Sequence, residues 1–453
     1  MTEFIIKKLP YDLSSNAGLA LVGKYLKRIN INALVDPKFP VRAGVANSDI
    51  LKCYLALLCL GKNDFDAVEA FRGDEFARLA LGLGGAPSSP TLRQRLDARA
   101  SDWFELAAGI NNRLLNLRIG GKDIDFGRLA CGYTPIDLDT FVMNNDNTSK
   151  ELVGRTYAGV DGYCPLAVYL GTQGYCLELA LRPGTQHSVN ESEHNLQRLL
   201  PMATKLTASA LLLRADSGFC SHKLMQCAWE QGQTLGRKID LLIKWNPRST
   251  PVETLAQTKV ADPCTVWQPL RAGKRECLWQ EALDLPGVGG PGHKVRRVYR
   301  LTERSIDKGG NPLLLPEYIL EGWTSTLPER FGMQAIIALY ADHATHEQFH
   351  SEFKTDMDLE RLPSGKFDTN YLVCQLACVA LNLLRMIGQH TLLGPDAPLR
   401  HEAKRRRIKT VIQEMMFKAA RLIRHAGRWV LGLGANDRGF AVFDRHYGQM
   451  SSA

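Results

Sequence analysis

No C-x-x-C pair occurs among the eleven cysteines of this chain, which are odd in number and scattered from Cys53 to Cys378. That pattern argues against both a cysteine zinc cage and a disulfide framework, so the cysteines read as small buried hydrophobes. The first residues, Met1-Thr-Glu-Phe-Ile-Ile-Lys-Lys-Leu-Pro10, lack the basic-then-apolar layout of a secretory signal, and no apolar run approaches the length of a membrane span. The expectation is a cytoplasmic protein without a membrane partner. The glycine cluster Gly82-Leu-Gly-Gly-Ala-Pro-Ser-Ser-Pro90 lacks the G-x-G-x-x-G spacing and the preceding strand of a nucleotide loop, and reads as a turn. There is no internal repeat. What is present is ordinary: 453 residues, 45% hydrophobic and 23% charged, enough for two or three domains with a well-buried core.

The charge is informative by its position. The net formal charge is +9, and the window from His401 to Val430 holds nine Lys or Arg, among them Arg405, Arg406 and Arg407, against Glu402 and Glu414. Such a cluster suits a polyanionic partner, with a solvated helix face as the plain alternative.

Residues from about 11 to 110 read as helices. Within them Ser89-Pro90-Thr-Leu-Arg-Gln-Arg-Leu-Asp-Ala-Arg99 starts with proline in its first turn and carries Arg93 and Arg95, a candidate DNA-contacting helix. From Gly132 the period changes to that of strands, at Thr134–Val142, Cys164–Leu170 and Tyr175–Leu181. A helix at Asn190–Leu206, a fourth strand at Ala210–Ala215, another helix and a fifth strand at Ile239–Trp245 complete an α/β pattern. The stretch from Asn246 to about Glu329 reads as a β-rich insertion. Its tryptophans Trp245, Trp267, Trp279 and Trp323 read as strand residues, with stacking on an unpaired base the functional alternative. Tyr371–Gly388 is an apolar helix set against the core, and Phe440-Ala-Val-Phe443 reads as a short last strand.

Tyr340-Ala-Asp-His-Ala-Thr-His-Glu-Gln-Phe-His-Ser-Glu-Phe-Lys354 supports two enzyme readings. His346-Glu347-Gln348-Phe349-His350 fits the H-E-x-x-H signature of a zinc metallopeptidase, with Glu352 or Glu360 as third ligand. As one continuous helix, however, the stretch also aligns Tyr340, His343, Glu347 and Lys354 near one face. A phenol, two cationic groups and a carboxylate suit a metal-bound phosphate backbone. Asp137 and Asp139 lie on or at the end of the first strand and Asp216 directly follows the fourth. Strands one and four are neighbours in a ribonuclease-H-like sheet, so these acids could converge with Glu347 on two divalent cations.

Leu213-Arg-Ala-Asp-Ser-Gly-Phe-Cys-Ser221 and Tyr340-x2-His343-x3-Glu347-x6-Lys354 resemble the second and third signature blocks of DDE transposases from bacterial insertion sequences, in the branch with a β-rich insertion; Asp137-Leu-Asp139-Thr140 stands for the first. The resemblance implies a ribonuclease-H-like mixed sheet flanked by helices. It divides the chain into a helical DNA-binding or accessory region (1–130), the first part of the catalytic core (131–245), the β-rich insertion (246–330), the second part of the core carrying Glu347 (331–390) and a basic helical region (391–453). It implies Asp139, Asp216 and Glu347 as the metal-binding triad, Asp137 being the rival for first position, and two Mg²⁺ ions, with Mn²⁺ as substitute. Tyr340, His343 and Lys354 would contact phosphates near the element's end, with Arg93, Arg95, Arg405, Arg406 and Arg407 as further DNA contacts. Where the family usually has Arg, this chain has His343, a titratable group in place of a permanent charge. The implied partners are terminal inverted repeats and target DNA, met by a homodimer in the bacterial cytoplasm and nucleoid. The implied activity is cleavage at the element's ends through a hairpin and strand transfer into a target. His346 and His350 are expected either as surface or packing groups on the helix side away from DNA or as weak phosphate contacts. A DNA-binding relative without catalysis is the non-enzymatic alternative.

Overall fold

The computed structural model describes residues 2–8, 10–248, 250–285, 292–307 and 309–451, with the backbone alone at 344 and 345. Residues 286–291, inside the expected insertion, lie outside the described residues. The amino-terminal third is helical. Its central helix α1 (Asn47–Cys59) is buried along its whole length, while α2 (Ser89–Arg99) starts where Ser88 accepts the Thr91 amide and Pro90 occupies the first turn, a position that needs no amide donor. Helix α3 (Phe104–Leu115) follows, with Leu106, Ala107, Ile110, Leu114 and Leu115 buried.

The centre is one nine-stranded mixed sheet. In chain order its strands are β1 (Thr134–Thr140), β2 (Leu166–Leu170), β3 (Tyr175–Ala180), β4 (Leu211–Ala215), β5 (Ile239–Trp245), β6 (Trp267–Arg271), β7 (Lys274–Leu285), β8 (His293–Ile306) and β9 (Pro312–Ser325). Their spatial order is β6-β7-β8-β9-β5-β4-β1-β2-β3. Strand β4 lies parallel between β1 and β5, whereas β2 runs antiparallel to β1 and β3 to β2. Every side chain of β4 is buried, as expected of a strand covered on both faces. Strands β6 to β9 do not form a separate body: β9 pairs antiparallel with β5, Gly322 opposite Trp245, and continues the central sheet outward. Trp245 and Trp279 pack on Tyr299 within this extension, and Trp323 is buried.

Helices α4 (Ser192–Leu206) and α5 (His222–Leu235) follow β3 and β4. After β9 come α6 (Met333–Ala341), the short α7 (His346–Ser351) and α8 (Phe367–Thr391). By length and composition α8 could cross a membrane, contrary to the reading that no apolar run approaches that length, but 94% of its most apolar window is buried inside the protein. It packs against α1, α3 and β3 as the core helix.

Two further expectations need correction. The basic carboxyl-terminal region is not wholly helical: Ala420–His425 (β10) and Arg428–Leu433 (β11) form an antiparallel hairpin, and Leu13–Ser14 pairs with β10. Its turn, Ala426-Gly427, has positive φ at both residues, the geometry that matches the twist of a tight hairpin. Phe440–Phe443 is not a strand; it opens helix α9 (Phe440–Gln449), whose buried residues Val442, Phe443 and His446 follow helical spacing.

Candidate active site

Strands β1 and β4 pair in parallel with Leu138 opposite Ala215. The next residues, Asp139 and Asp216, therefore stand at the same end of adjacent central strands. Asp139 is the half-buried penultimate residue of its strand, its Oδ1 accepting from the Thr140 amide at 2.7 Å. Asp216 caps a single 3-10 turn through Oδ1, which accepts from the Gly218 amide at 2.9 Å. Both line a cleft of about 590 Å³ together with Arg155, Tyr157, His187 and Arg248. Burial, and after it the charge of Asp139, raises the Asp216 carboxyl above its ordinary range. A carboxyl whose ionisation is opposed by a neighbouring carboxylate stands where a cation would stabilise it.

The two acids of β1 have different surroundings although they share a face of the strand, being two residues apart. Asp137 is closed in: Arg214 donates Nε to its Oδ1 at 2.7 Å and Nη2 to its Oδ2 at 2.9 Å, and His343 Nδ1 lies 3.0 Å from Oδ1. Both partners are almost wholly buried. Burial alone would raise the Asp137 carboxyl, but the charges of Arg214 and His343 outweigh it and hold the group well below the usual carboxylate range. Arg214 also donates to the Leu339 carbonyl at 2.9 Å and to Asp342 at 3.0 Å, pinning the end of α6 to the sheet.

The stretch 340–354 is not one continuous helix. Helix α6 ends at Ala341, a 3-10 turn spans Asp342–Thr345, α7 covers His346–Ser351 and a π-helical turn follows over Glu352–Asp356. The face expected from uninterrupted 3.6-residue spacing is broken up. Tyr340 is half-buried against Trp323, with Lys244 over its ring. His343 faces Asp137. Glu347 is exposed; it does not line the cleft, and the carboxylates of Asp139, Asp216 and Glu347 do not all lie within 4.8 Å of one another. Lys354 pairs with Glu360 at 3.0 Å.

His346 and His350, expected away from the chemistry, are both buried and both turn Nε2 to Asp139 Oδ2, His350 at 3.0 Å. Asp139, His346 and His350 have their ligand atoms within 4.8 Å of one another, the single such group among the described residues. Burial would raise the Asp139 carboxyl, but the hydrogen bonds from His346 and His350 pull it well below its ordinary range. For His346, burial lowers the imidazole and the hydrogen bond to Asp139 overrides it, for a net rise; for His350 burial prevails and the net shift is downward. The third ligand expected of a zinc peptidase is not in reach. Glu352 is fully buried between Arg385 and Arg405, and Glu360 is held by Lys354.

The expected basic contacts are dispersed. Arg405 pairs with Glu352, Arg407 with Asp356 at 2.8 Å, and Arg406 donates to the carbonyls of Leu392 and His401. Arg95 donates to Asn47, while Arg93 is exposed beside Phe65. Sequence reading missed Arg214, Tyr169, Phe141 and the cleft cations Arg155 and Arg248. Only the i, i+4 spacing of His346 and His350 signalled the histidine pair, and nothing local linked it to Asp139, more than 200 residues earlier.

Among curated proteins, no sequence matches this chain. A solved structure, a piggyBac transposase synaptic complex with hairpin DNA, aligns over 97% of this chain and 82% of its own, at 10% identity and a TM-score of 0.38. The family profile described as transposase DDE domain group 1 matches residues 11–235, about half of the chain, a range that includes Asp139 and Asp216 and stops short of Glu347. The chain belongs to the DDE transposases.

Proposed function

We propose that this protein cuts DNA at the ends of a bacterial insertion sequence and joins the freed ends to a target, using divalent cations bound at Asp139 and Asp216 with Glu347 as third acid. The observation that carries the reading is the meeting of Asp139 and Asp216 at the same end of adjacent parallel strands, in one cleft. The order β3-β2-β1-β4-β5, with only β2 antiparallel to its neighbours in that set, supports a ribonuclease-H-like core. The ion pair of Asp137 with Arg214 favours Asp139 as the first catalytic acid.

The donor set fits the cation: two carboxylates whose charges oppose each other, one of them raised by burial. Cations bound there would supply water activation and neutralise charge on the leaving oxygen. The rest falls to the chain's own groups. Arg155, Arg248 and His187 at the cleft rim would hold backbone phosphates, and Tyr157, exposed over its opening, would flank the scissile strand. Glu347 is exposed on α7 and outside the cleft, so its part as third acid is carried by the block spacing in the sequence. The proposal includes Mg²⁺ with Mn²⁺ as substitute, phosphate contacts from Tyr340, Lys354 and the arginines named above, with His343 turned instead to Asp137, a hairpin at the element's end, and a homodimer on DNA in the cytoplasm.

The test is cleavage of a duplex carrying the inverted repeats that flank the coding sequence, with Mg²⁺ or Mn²⁺. Asp216→Asn and Asp139→Asn should bind the duplex as wild type does and fail to cut it. Normal cutting by Asp216→Asn would overturn the reading, and absence of cutting by the wild type would favour the non-catalytic DNA-binding alternative.

A further inference from the structure

Three acids account for the proposed chemistry and leave His346 and His350 without a task, although both are buried and both converge on one oxygen of Asp139. The hydrogen bonding around them is that of metal ligands. His346 Nδ1 faces the His343 carbonyl, which can only accept, so Nδ1 carries the proton. In the neutral ring Nε2 then presents a lone pair to a carboxylate oxygen, which is repulsive unless a proton or a metal cation lies between. His350 is held from behind as well: its Nδ1 meets the Tyr169 hydroxyl, which can accept or donate, at 3.0 Å, and Phe141 stacks on its ring with centroids 4.4 Å apart. Each imidazole thus has its far nitrogen held by an outer partner and its near nitrogen aimed at a shared point, the arrangement that orients metal-bound histidine. Donor atoms of a four- or six-coordinate transition metal with bonds of about 2.1 Å are spaced by roughly 3.0–3.4 Å, and the His350 Nε2 to Asp139 Oδ2 distance is 3.0 Å.

We propose that Asp139, His346 and His350 form a nitrogen-rich metal position that takes Zn²⁺, Co²⁺ or Mn²⁺ in preference to Mg²⁺, with Asp139 bridging to an oxygen-lined position shared with Asp216. The chemical class follows from the ligands. Imidazole nitrogen suits transition-metal dications, whereas Mg²⁺ is a hard cation that keeps oxygen ligands and water. The ligand set stands on its own geometry; only its consequence for DNA cutting rests on the function proposed above.

The experiment uses the full chain stripped of metal by chelator. Titration with Co²⁺, read by visible d–d absorption, and with Zn²⁺ and Mg²⁺, read by calorimetry, should give Co²⁺ and Zn²⁺ binding on the order of 100-fold tighter than Mg²⁺. His346→Gln and His350→Gln should each weaken Co²⁺ binding by roughly 10- to 100-fold, while His194→Gln, at an exposed histidine of α4, leaves it unchanged. Because His350 is packed in the core, each variant is also melted in chelator: one that melts as wild type without metal yet gains no stability from Zn²⁺ supports the site. Wild-type Co²⁺ affinity in both histidine variants, tighter Mg²⁺ than Zn²⁺ binding, or an equal loss of Co²⁺ in His194→Gln would overturn it. The two proposals fail separately. Mg²⁺-dependent cutting lost in Asp216→Asn without any histidine-dependent Co²⁺ signal removes the metal position alone. A histidine-dependent Co²⁺ signal with normal cutting by Asp216→Asn keeps the metal position and removes the cleavage reading.

Discussion

Two neighbouring rungs cross from strand β1 to the chain segment packed on it: Asp137 with His343, and Asp139 with His346 and His350. Both pair a carboxylate with imidazole, on the same face of the same strand. They differ in their third member. Arg214 completes the Asp137 rung with two parallel hydrogen bonds and closes it from solvent, whereas Asp216 stands beside the Asp139 rung, adds negative charge and leaves it open to a cleft. A buried acid with a dedicated guanidinium maintains the fold, and a buried acid facing another acid is held ready for a cation. The difference between structural and functional carboxylate is set here by strand β4, which supplies Arg214 and then, two residues later, Asp216.

The largest effect should separate the rungs by activity. Asp139→Asn and Asp216→Asn should each lower cleavage by on the order of 10³-fold or more, about 4 kcal/mol of lost charge stabilisation, and Asp216→Asn should melt at or above the wild-type temperature at pH 7. An acid raised by burial and a like charge is penalised when ionised, and asparagine can still cap the Gly218 amide. A melting point clearly below wild type would mean that the open rung also serves the fold.

Next comes stability at the closed rung. Asp137→Asn leaves Arg214 buried with the half-exposed Asp342 as its sole carboxylate partner among the described residues and should cost about 3 kcal/mol in denaturant unfolding, so that any loss of cutting follows the loss of folded protein. A variant that folds normally but cannot cut would move the catalytic role to Asp137. The same pair sets a pH dependence of smaller size. The folded-state Asp137 carboxyl is depressed, so its contribution is complete above its unfolded value near 4 and is lost as the pH falls below that toward the depressed value. Wild type should therefore lose stability between about pH 4 and pH 2 more steeply than Asp137→Asn; parallel slopes would deny the ion pair its role.

Much of this was legible in the sequence because it depends on local pattern. Alternation located β1, the acid directly after an apolar run located Asp216, and the block spacing located the segment that covers them. What could not be read depends on partners far away in the chain. Arg214 competes for the Leu339 carbonyl, and the C-terminal arginines tie down Glu352 and Asp356, so a helix that spacing alone would continue is interrupted at both ends of α7. Phe349 anchors that short helix over Gly174, which has positive φ and where a Cβ would lie 2.4 Å from the ring. Pairing of β9 with β5 joins residues about 80 apart and turns an expected insertion into the continuation of the sheet. In the hairpin β10–β11 the arginines Arg421, Arg424 and Arg428 obscure the alternation that would have marked it as strand.

The smallest expected effect tests the closed rung against the phosphate contact that spacing assigns to His343. The ring is 2% exposed, and its Nδ1 meets an Asp137 oxygen that Arg214 also engages. His343→Gln keeps a donor for Asp137 and leaves the guanidinium in place, so the stability cost should be that of one imperfectly replaced hydrogen bond, about 0.5–1.5 kcal/mol. A buried ring that never reaches DNA contributes no released counterion. Duplex affinity and the slope of log affinity against log salt should then match wild type. If instead the slope became shallower by about one unit, the ring would have to leave Asp137 when DNA binds. The closed rung would then be closed only in the free protein, with Arg214 alone keeping the carboxylate neutralised while the histidine engages a phosphate.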